Sequence, residues 1–149
     1  MKSKNQESSI ESWKALTKYL LDTNICIFFF KGMHQLDVKL QRIGLTNCFI
    51  SEITLAELIY GAENSADVDR HLKIIQEFQR RIQVIPIFNA LSIYGKEKAR
   101  LRKAGQLIDD FDLLIGASAL ANDLVLVTNN TKHFNRLENL LLEDWTEIN

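Results

Sequence analysis

The sequence predicts a three-layer α/β fold, with a central parallel sheet of four to five short strands flanked on both faces by helices. Three observations predict it. The runs Tyr19-Leu20-Leu21, Cys48-Phe49-Ile50 and Leu124 to Val127 are short and almost continuously apolar, as strands covered on both faces are. Longer segments with apolar residues at helical spacing lie between them, so strand and helix alternate along the chain. The 149 residues suit one domain with a sizeable core, and no repeat, low-complexity stretch or linker divides them.

Met1 to Ser9 is polar, and Ile10, Trp13 and Leu16 then fall at the spacing of a short amphipathic helix. Residues 1–17 are read as an N-terminal extension and 18–149 as the domain. The first strand, Tyr19-Leu20-Leu21, stops at Asp22, and Thr23 to Phe30 reads as a helix ending near Gly32. Leu36, Leu40 and Ile43 mark a second helix closed by Gly44. Cys48-Phe49-Ile50 is the second strand, ending at Ser51, and Thr54 to Ala62 the third helix. Val68, Leu72, Ile75 and Phe78 form one helical stripe. Ile82 to Ile85 is a strand stopped by Pro86, the single proline. Asn89 is the expected N-cap of a long helix that ends at Gly105. Another helix starts at Asp110 or Phe111 and runs to Ala121, with Asn122 as its C-cap. Leu124 to Val127 is a further strand, and Leu140 to Leu142 the expected last one.

Composition narrows the function classes. A net charge of −1 excludes wholesale attraction to nucleic acid, so RNA binding would need a local patch. Cys26 and Cys48 sit in apolar surroundings without C-x-x-C spacing, which reads as two buried thiols in a reducing compartment. The longest strongly apolar run, Ile25 to Phe30, is too short to span a bilayer, and the first 17 residues lack a hydrophobic signal core. The expected location is therefore the cytoplasm, without membrane association. The three histidines show no zinc spacing, and no G-x-S-x-G, G-x-G-x-x-G or P-loop pattern occurs.

In open α/β sheets, ligands bind beyond the carboxyl ends of the strands. Polar residues stand there in this chain: Asp22-Thr23-Asn24 after the first strand, Ser51 after the second, Thr128-Asn129-Asn130 after the Leu124 to Val127 strand. Glu57 lies one turn into the helix after Ser51, and Asp112 in the first turn of the helix opened by Asp109-Asp110-Phe111. Each carboxylate alone is better explained as helix capping: Asp22 as an N-cap, Thr54 with Glu57 as a capping box, Asp109, Asp110 and Asp112 as first-turn acids. Their common rim favours the functional reading. Carboxylates gathered closely repel unless a cation sits among them, and hard oxygen donors suit Mg²⁺ or Mn²⁺. Just before these acids, Lys96, Arg100 and Lys103 share one helix face, in a basic stretch that also holds Lys98 and Arg102 and is opposed within it only by Glu97. Such a stretch is commonly a solvated face, but beside a carboxylate–metal centre it would hold an RNA backbone.

The segments 20–24, 51–58, 110–117 and 127–134 (LLDTN, SEITLAEL, DFDLLIGA and VTNNTKHF), with the closing Glu143-Asp144-Trp145, resemble PIN-domain ribonucleases of the VapC type, the toxins of bacterial toxin–antitoxin pairs. The resemblance spans Lys18 to about Trp145. It implies a PIN-like fold and a Mg²⁺- or Mn²⁺-dependent endoribonuclease. Asp22, Glu57 and Asp112 match the family's metal-binding acids, and Asn24, Ser51 and Thr128 its supporting polar residues. A fourth acid common in the family is matched here by Asn130, with Asp110 as a partial replacement for its charge. The resemblance further implies transfer RNA as substrate, a VapB-type antitoxin as partner, and a homodimer. The expected chemistry is phosphodiester hydrolysis by metal-activated water. The rival reading is a PIN-like protein-binding module with weak or no catalysis. A haloacid-dehalogenase-type phosphatase is disfavoured, because Asp22-Thr23-Asn24 is not D-x-D.

Overall fold

A computed structural model of the chain describes residues 17–147. The expected helix around Ile10, Trp13 and Leu16 lies outside them. In order, the elements are β1 (Tyr19–Leu21), α1 (Thr23–Phe30), α2 (Leu36–Ile43), β2 (Cys48–Ser51), α3 (Glu52–Glu63), α4 (Val68–Gln79), β3 (Gln83–Ile85), α5 (Leu91–Lys103), α6 (Asp110–Ala121), β4 (Val125–Val127), α7 (Thr131–Phe134) and β5 (Leu142–Glu143). The five strands form one sheet in the order β3-β2-β1-β4-β5, with every pair parallel. The expected three-layer α/β architecture is the observed one.

Side chains alternate across the strands and so feed two cores. Leu21, Ile50 and Val127 pack on one face with Ile25, Leu58 and Phe78 from α1, α3 and α4. Leu20 and Leu126 pack on the other with Leu101, Leu113 and Phe134 from α5, α6 and α7. Leu20, Leu21, Ile50, Leu126 and Val127 are all 0% exposed, which explains why these strands read as unbroken apolar runs. Each such side chain contributes about 1.5–3 kcal/mol by burial. Among the described residues no helix is long and apolar enough to cross a membrane.

Several boundaries differ from the sequence reading, each for a local reason. Asn89 is not the cap of α5: it is exposed within a 3-10 turn, Phe88–Ala90, and Ala90 enters α5 with no side-chain cap. Ile87 is already helical at φ −86° and ψ −8°, so the turn starts before Asn89 can adopt an extended cap conformation. Ile82 and Leu124 are not in strands, because their N–H groups close the preceding helices on Phe78 O and Ala119 O. The last strand is Leu142–Glu143, starting two residues and ending one residue later than the expected Leu140 to Leu142. Gly44 does end α2, at φ 89°, a conformation that costs a residue with a Cβ. Cys26 and Cys48 are buried free thiols, and burial pushes the Cys48 thiol up to about 11.

The strand order positions the site. From β1 the chain builds outward through β2 to β3, then returns to β1's other edge as β4. The crevice beyond the carboxyl ends of β1 and β4 is therefore a topological switch point, the usual ligand position in such sheets.

Candidate active site

Asp22 follows β1 directly, and its N–H donates to Val127 O at 2.9 Å, so the sheet pairing carries through to it. Its side chain is 4% exposed. Oδ1 accepts from Thr23 N at 2.8 Å and Oδ2 from Thr128 Oγ1 at 2.8 Å. Asp22 is thus the cap of α1 and also a fixed anion at the switch point. Burial pushes its carboxyl up to about 6; the bonds from Thr128 and Thr23 oppose the rise, and the charges of Asp112 and Glu57 add to it.

Ser51 ends β2, is fully buried, and caps α3 by accepting from Ile53 N at 3.1 Å. Because this cap starts α3 at Glu52, Thr54 lies inside the helix and the Thr54–Glu57 capping box does not form. Glu57 instead accepts a 2.7 Å bond from Thr23 Oγ1, which also lies 3.2 Å from Thr54 Oγ1. A hydroxyl from the start of α1 therefore turns the α3 carboxylate toward the end of β1.

Asp112 lies in the first turn of α6, which Asp109 caps through Phe111 N at 3.1 Å. Partial burial raises the Asp112 carboxyl; Asp109 and Glu57 raise it further, and His133 pulls it down. Across Asp22 and Asp112 each of the pairs Asp22–Asp112, Asp22–Glu57 and Asp112–Glu57 is close enough to shift a titration. The three acids named from the sequence are brought to one rim.

Asp110 is engaged elsewhere. It accepts from Lys98 Nζ at 2.8 Å and from Tyr94 Oη at 3.0 Å, and Lys98 holds its carboxyl below the usual range. Its charge is already balanced on α5; the neighbouring acid that acts on Asp112 is Asp109. Asn130 donates its N–H to Thr128 Oγ1 at 3.0 Å, and its side-chain Nδ2 lies 2.9 Å from His133 Nδ1. Asn24 Nδ2 donates to Asn129 Oδ1, joining α1 to the loop after β4. The basic face also differs from its sequence reading. Arg100 is bidentate on Glu97, with Nε at 3.1 Å and Nη2 at 2.7 Å, and donates to Arg136 O at 2.6 Å. Lys96 and Lys103 remain exposed.

The sequence places Thr23 and Asn129 on the polar rim without giving either a role of its own, and Asp109 enters only as a first-turn acid. His133 lies inside the segment 127–134 that resembles the family, but histidine spacing gives it no role as a ligand.

Among the described residues no three His, Cys, Asp or Glu side chains converge closely enough to grip a metal ion directly. The donor chemistry fits a hard cation held partly through water: carboxylates close enough that Glu57 raises both Asp22 and Asp112, hydroxyls and amides around them, and no available thiolate among the described residues. Asn24 Oδ1 is buried without a hydrogen-bond partner, an acceptor suited to a water of such a shell.

A PIN domain family model matches residues 19–140. The chain is 38% identical to a protein of Shigella flexneri named tRNA(fMet)-specific endonuclease VapC, over 88% of this chain and all of that one. It is 36% identical to ribonuclease VapC2 of Rickettsia felis, over 85% of this chain and 97% of that one. Its fold overlays the solved DNA-bound VapBC of Salmonella typhimurium with a TM-score of 0.81 at 35% identity, over 87% of this chain and 99% of that one. With a domain model matched from β1 almost to β5 and relatives alike along nearly their whole length, the chain belongs to the PIN-domain family, among its VapC ribonucleases.

Proposed function

We propose that the chain is a Mg²⁺-dependent endoribonuclease, Mn²⁺ serving as a substitute, and that it is the toxin of a toxin–antitoxin module acting in the cytoplasm. The observation that carries the reading is the gathering of Asp22, Glu57 and Asp112 at the switch point, with Asp22 almost fully buried and, among the described residues, no cationic side chain paired with it. An uncompensated cluster of this kind is costly to fold, and a divalent cation is the natural counter-charge.

Asp22 and Asp112 would hold the cation, with Glu57 reaching its water shell. Once bound, the cation supplies Lewis-acid charge against the phosphate and makes a water in its shell a better nucleophile. The protein's own part is positioning. Thr128 and the Thr23 amide clamp both Asp22 oxygens, and the Thr23 hydroxyl fixes Glu57. Asn130 N bonds the Thr128 hydroxyl that holds Asp22, Ser51 caps the helix that carries Glu57, and Asn24 ties the start of α1 to Asn129. Among the described residues Lys96 and Lys103 are exposed and make no ion pair, so they would meet RNA phosphates, whereas Arg100 serves as a structural clamp. Attack by water leaves 5′-phosphate and 3′-hydroxyl ends.

Transfer RNA is the favoured substrate, in keeping with the names of two relatives. A VapB-type antitoxin is the favoured inhibitor, since the solved relatives are VapBC complexes. A groove of about 500 Å³ between α1, α3 and α4, lined by Ile27, Phe30, Leu58, Ile74 and Glu57, suits an apolar segment that ends near the acids. A homodimer is part of the proposal by family likeness.

The test is induction in a bacterial host followed by 5′-end mapping of cellular RNA. Growth arrest with new 5′-phosphate ends, both lost with Asp22→Ala, supports the reading. Arrest that persists with Asp22→Ala and leaves RNA intact favours the protein-binding alternative, and cyclic 2′,3′-phosphate ends contradict the mechanism.

A further inference from the structure

We infer that His133 is a substrate-contacting residue of this site, its Nε2–H donating a hydrogen bond to a non-bridging oxygen of the RNA phosphate beside the acids. The inference rests on the ribonuclease reading above and adds a residue to it.

The backbone brings His133 there. α7 follows Thr128-Asn129-Asn130 without a break, and Phe134, 0% exposed, pins it to the sheet while His133 stays exposed. Three bonds then connect the imidazole to the buried acid. Asn130 N donates to the same Thr128 hydroxyl that donates to Asp22 Oδ2, and the Asn130 side-chain amide meets His133 Nδ1 at 2.9 Å. With the amide nitrogen assigned as donor, Nδ1 is the acceptor, so the ring's proton lies on Nε2 and points away from Asn130. His133 is also among the groups close enough to Asp112 to act on that carboxyl, which places the ring beside the acids.

Need and availability agree. A rim of carboxylates repels a phosphodiester, so a donor not already held by an acid is required beside the cation. Lys98 is bound to Asp110 and Arg100 to Glu97, and the exposed Lys96 and Lys103 stand on α5 rather than on the segment that leads from Thr128 into α7. Among the described residues no carboxylate lies within ion-pair distance of His133. The oriented Nε2–H is free.

Substitutions separate this role from a structural one. Gln at 133 carries an amide nitrogen to about the position of Nε2; Asn reaches only that of Nδ1. The experiment measures kcat and KM for unfractionated bacterial tRNA with Mg²⁺ for His133→Ala, His133→Asn and His133→Gln, with thermal midpoints and an Asp22→Asn control. The expected result is a loss of about tenfold in kcat/KM for Ala and Asn, most of it restored by Gln, at unchanged thermal midpoint. Retention by Asn with loss in Gln, or losses that follow the thermal midpoint, overturn the inference in favour of a structural role. Full activity of His133→Ala, with cleavage lost in Asp22→Asn, overturns this inference alone. Absence of cleavage by the unsubstituted protein, or its persistence in Asp22→Asn, overturns the ribonuclease site and this inference together.

Discussion

Thr128 Oγ1 donates to Asp22 Oδ2 at 2.8 Å, a fully buried bond between residues 106 positions apart that ties the end of β4 to the end of β1. The same hydroxyl accepts from Asn130 N at 3.0 Å, so one side chain fixes both the central acid and the loop that follows β4.

Thr128→Val keeps the shape and removes both bonds. A buried carboxylate that loses a donor costs about 1–3 kcal/mol. The expected outcome is lower stability in urea at pH 7, together with weaker divalent-cation binding and a lower kcat. Unchanged cation affinity and kcat would show that the clamp does not position Asp22 for function.

Asp22 predicts a pH dependence of the cation-free protein. Its folded carboxyl is raised to about 6 from an ordinary 3.8, so between those values the native state binds more protons than the unfolded chain. Stability from this group therefore falls as pH rises through that window and stays lost above it. Asp22→Asn removes the titration. Relative to the unsubstituted protein, it should gain about 2–3 kcal/mol of stability on going from pH 4 to pH 7 without metal. Mg²⁺ should reverse the ordering by stabilising only the protein that keeps Asp22. Parallel stability–pH curves for the two proteins would contradict the buried-anion account.

Gly116 on α6 faces α7. A Cβ there would lie 2.9 Å from Leu137 Cδ2 and 3.4 Å from Phe134 Cδ1. Gly116→Ala gains about 1 kcal/mol of helix propensity and loses about 1–3 kcal/mol to overpacking, for a net loss of up to about 2 kcal/mol. Thermal unfolding measures it. A stabilised variant would mean that Leu137 moves aside freely.

Arg100→Ala breaks the bidentate bond to Glu97 and the bond to Arg136 O, and should lower the thermal midpoint while leaving KM for RNA unchanged. Lys96→Ala and Lys103→Ala should do the reverse, raising KM and each reducing the salt dependence of binding by about one phosphate contact. An Arg100 effect confined to KM would restore it to the RNA-binding face.

The elements were legible where one physical signal dominated. Leu20-Leu21 and Leu126-Val127 are apolar because each neighbouring pair feeds two cores, and that is visible without coordinates. Asp22 was legible on the rim because it directly follows a parallel strand; Glu57 and Asp112, one turn into helices, joined it less directly, and the resemblance to PIN-domain ribonucleases singled out the three together. Pairings between side chains were not legible. Thr54 and Glu57 fit a capping box by spacing, yet the helix starts at Glu52 and Glu57 turns to Thr23, 34 residues away. Lys96, Arg100 and Lys103 look alike in a helical projection, and only the approach of Glu97 and Arg136 shows that Arg100 is engaged. Asp110 was assigned to replace the charge of a missing fourth acid, and only its pairing with Lys98 shows that it is engaged on α5 while Asp109 acts on Asp112.

The central claim is that three acids, distant in sequence, share one divalent ion. The most direct measurement is Mn²⁺ binding followed by the electron paramagnetic resonance of the free ion, for the unsubstituted protein, Asp22→Asn, Glu57→Gln and Asp112→Asn. A saturable site that is lost with Asp22→Asn and Asp112→Asn and weakened with Glu57→Gln is the predicted result. Equal binding by all four proteins, each folded, would contradict it.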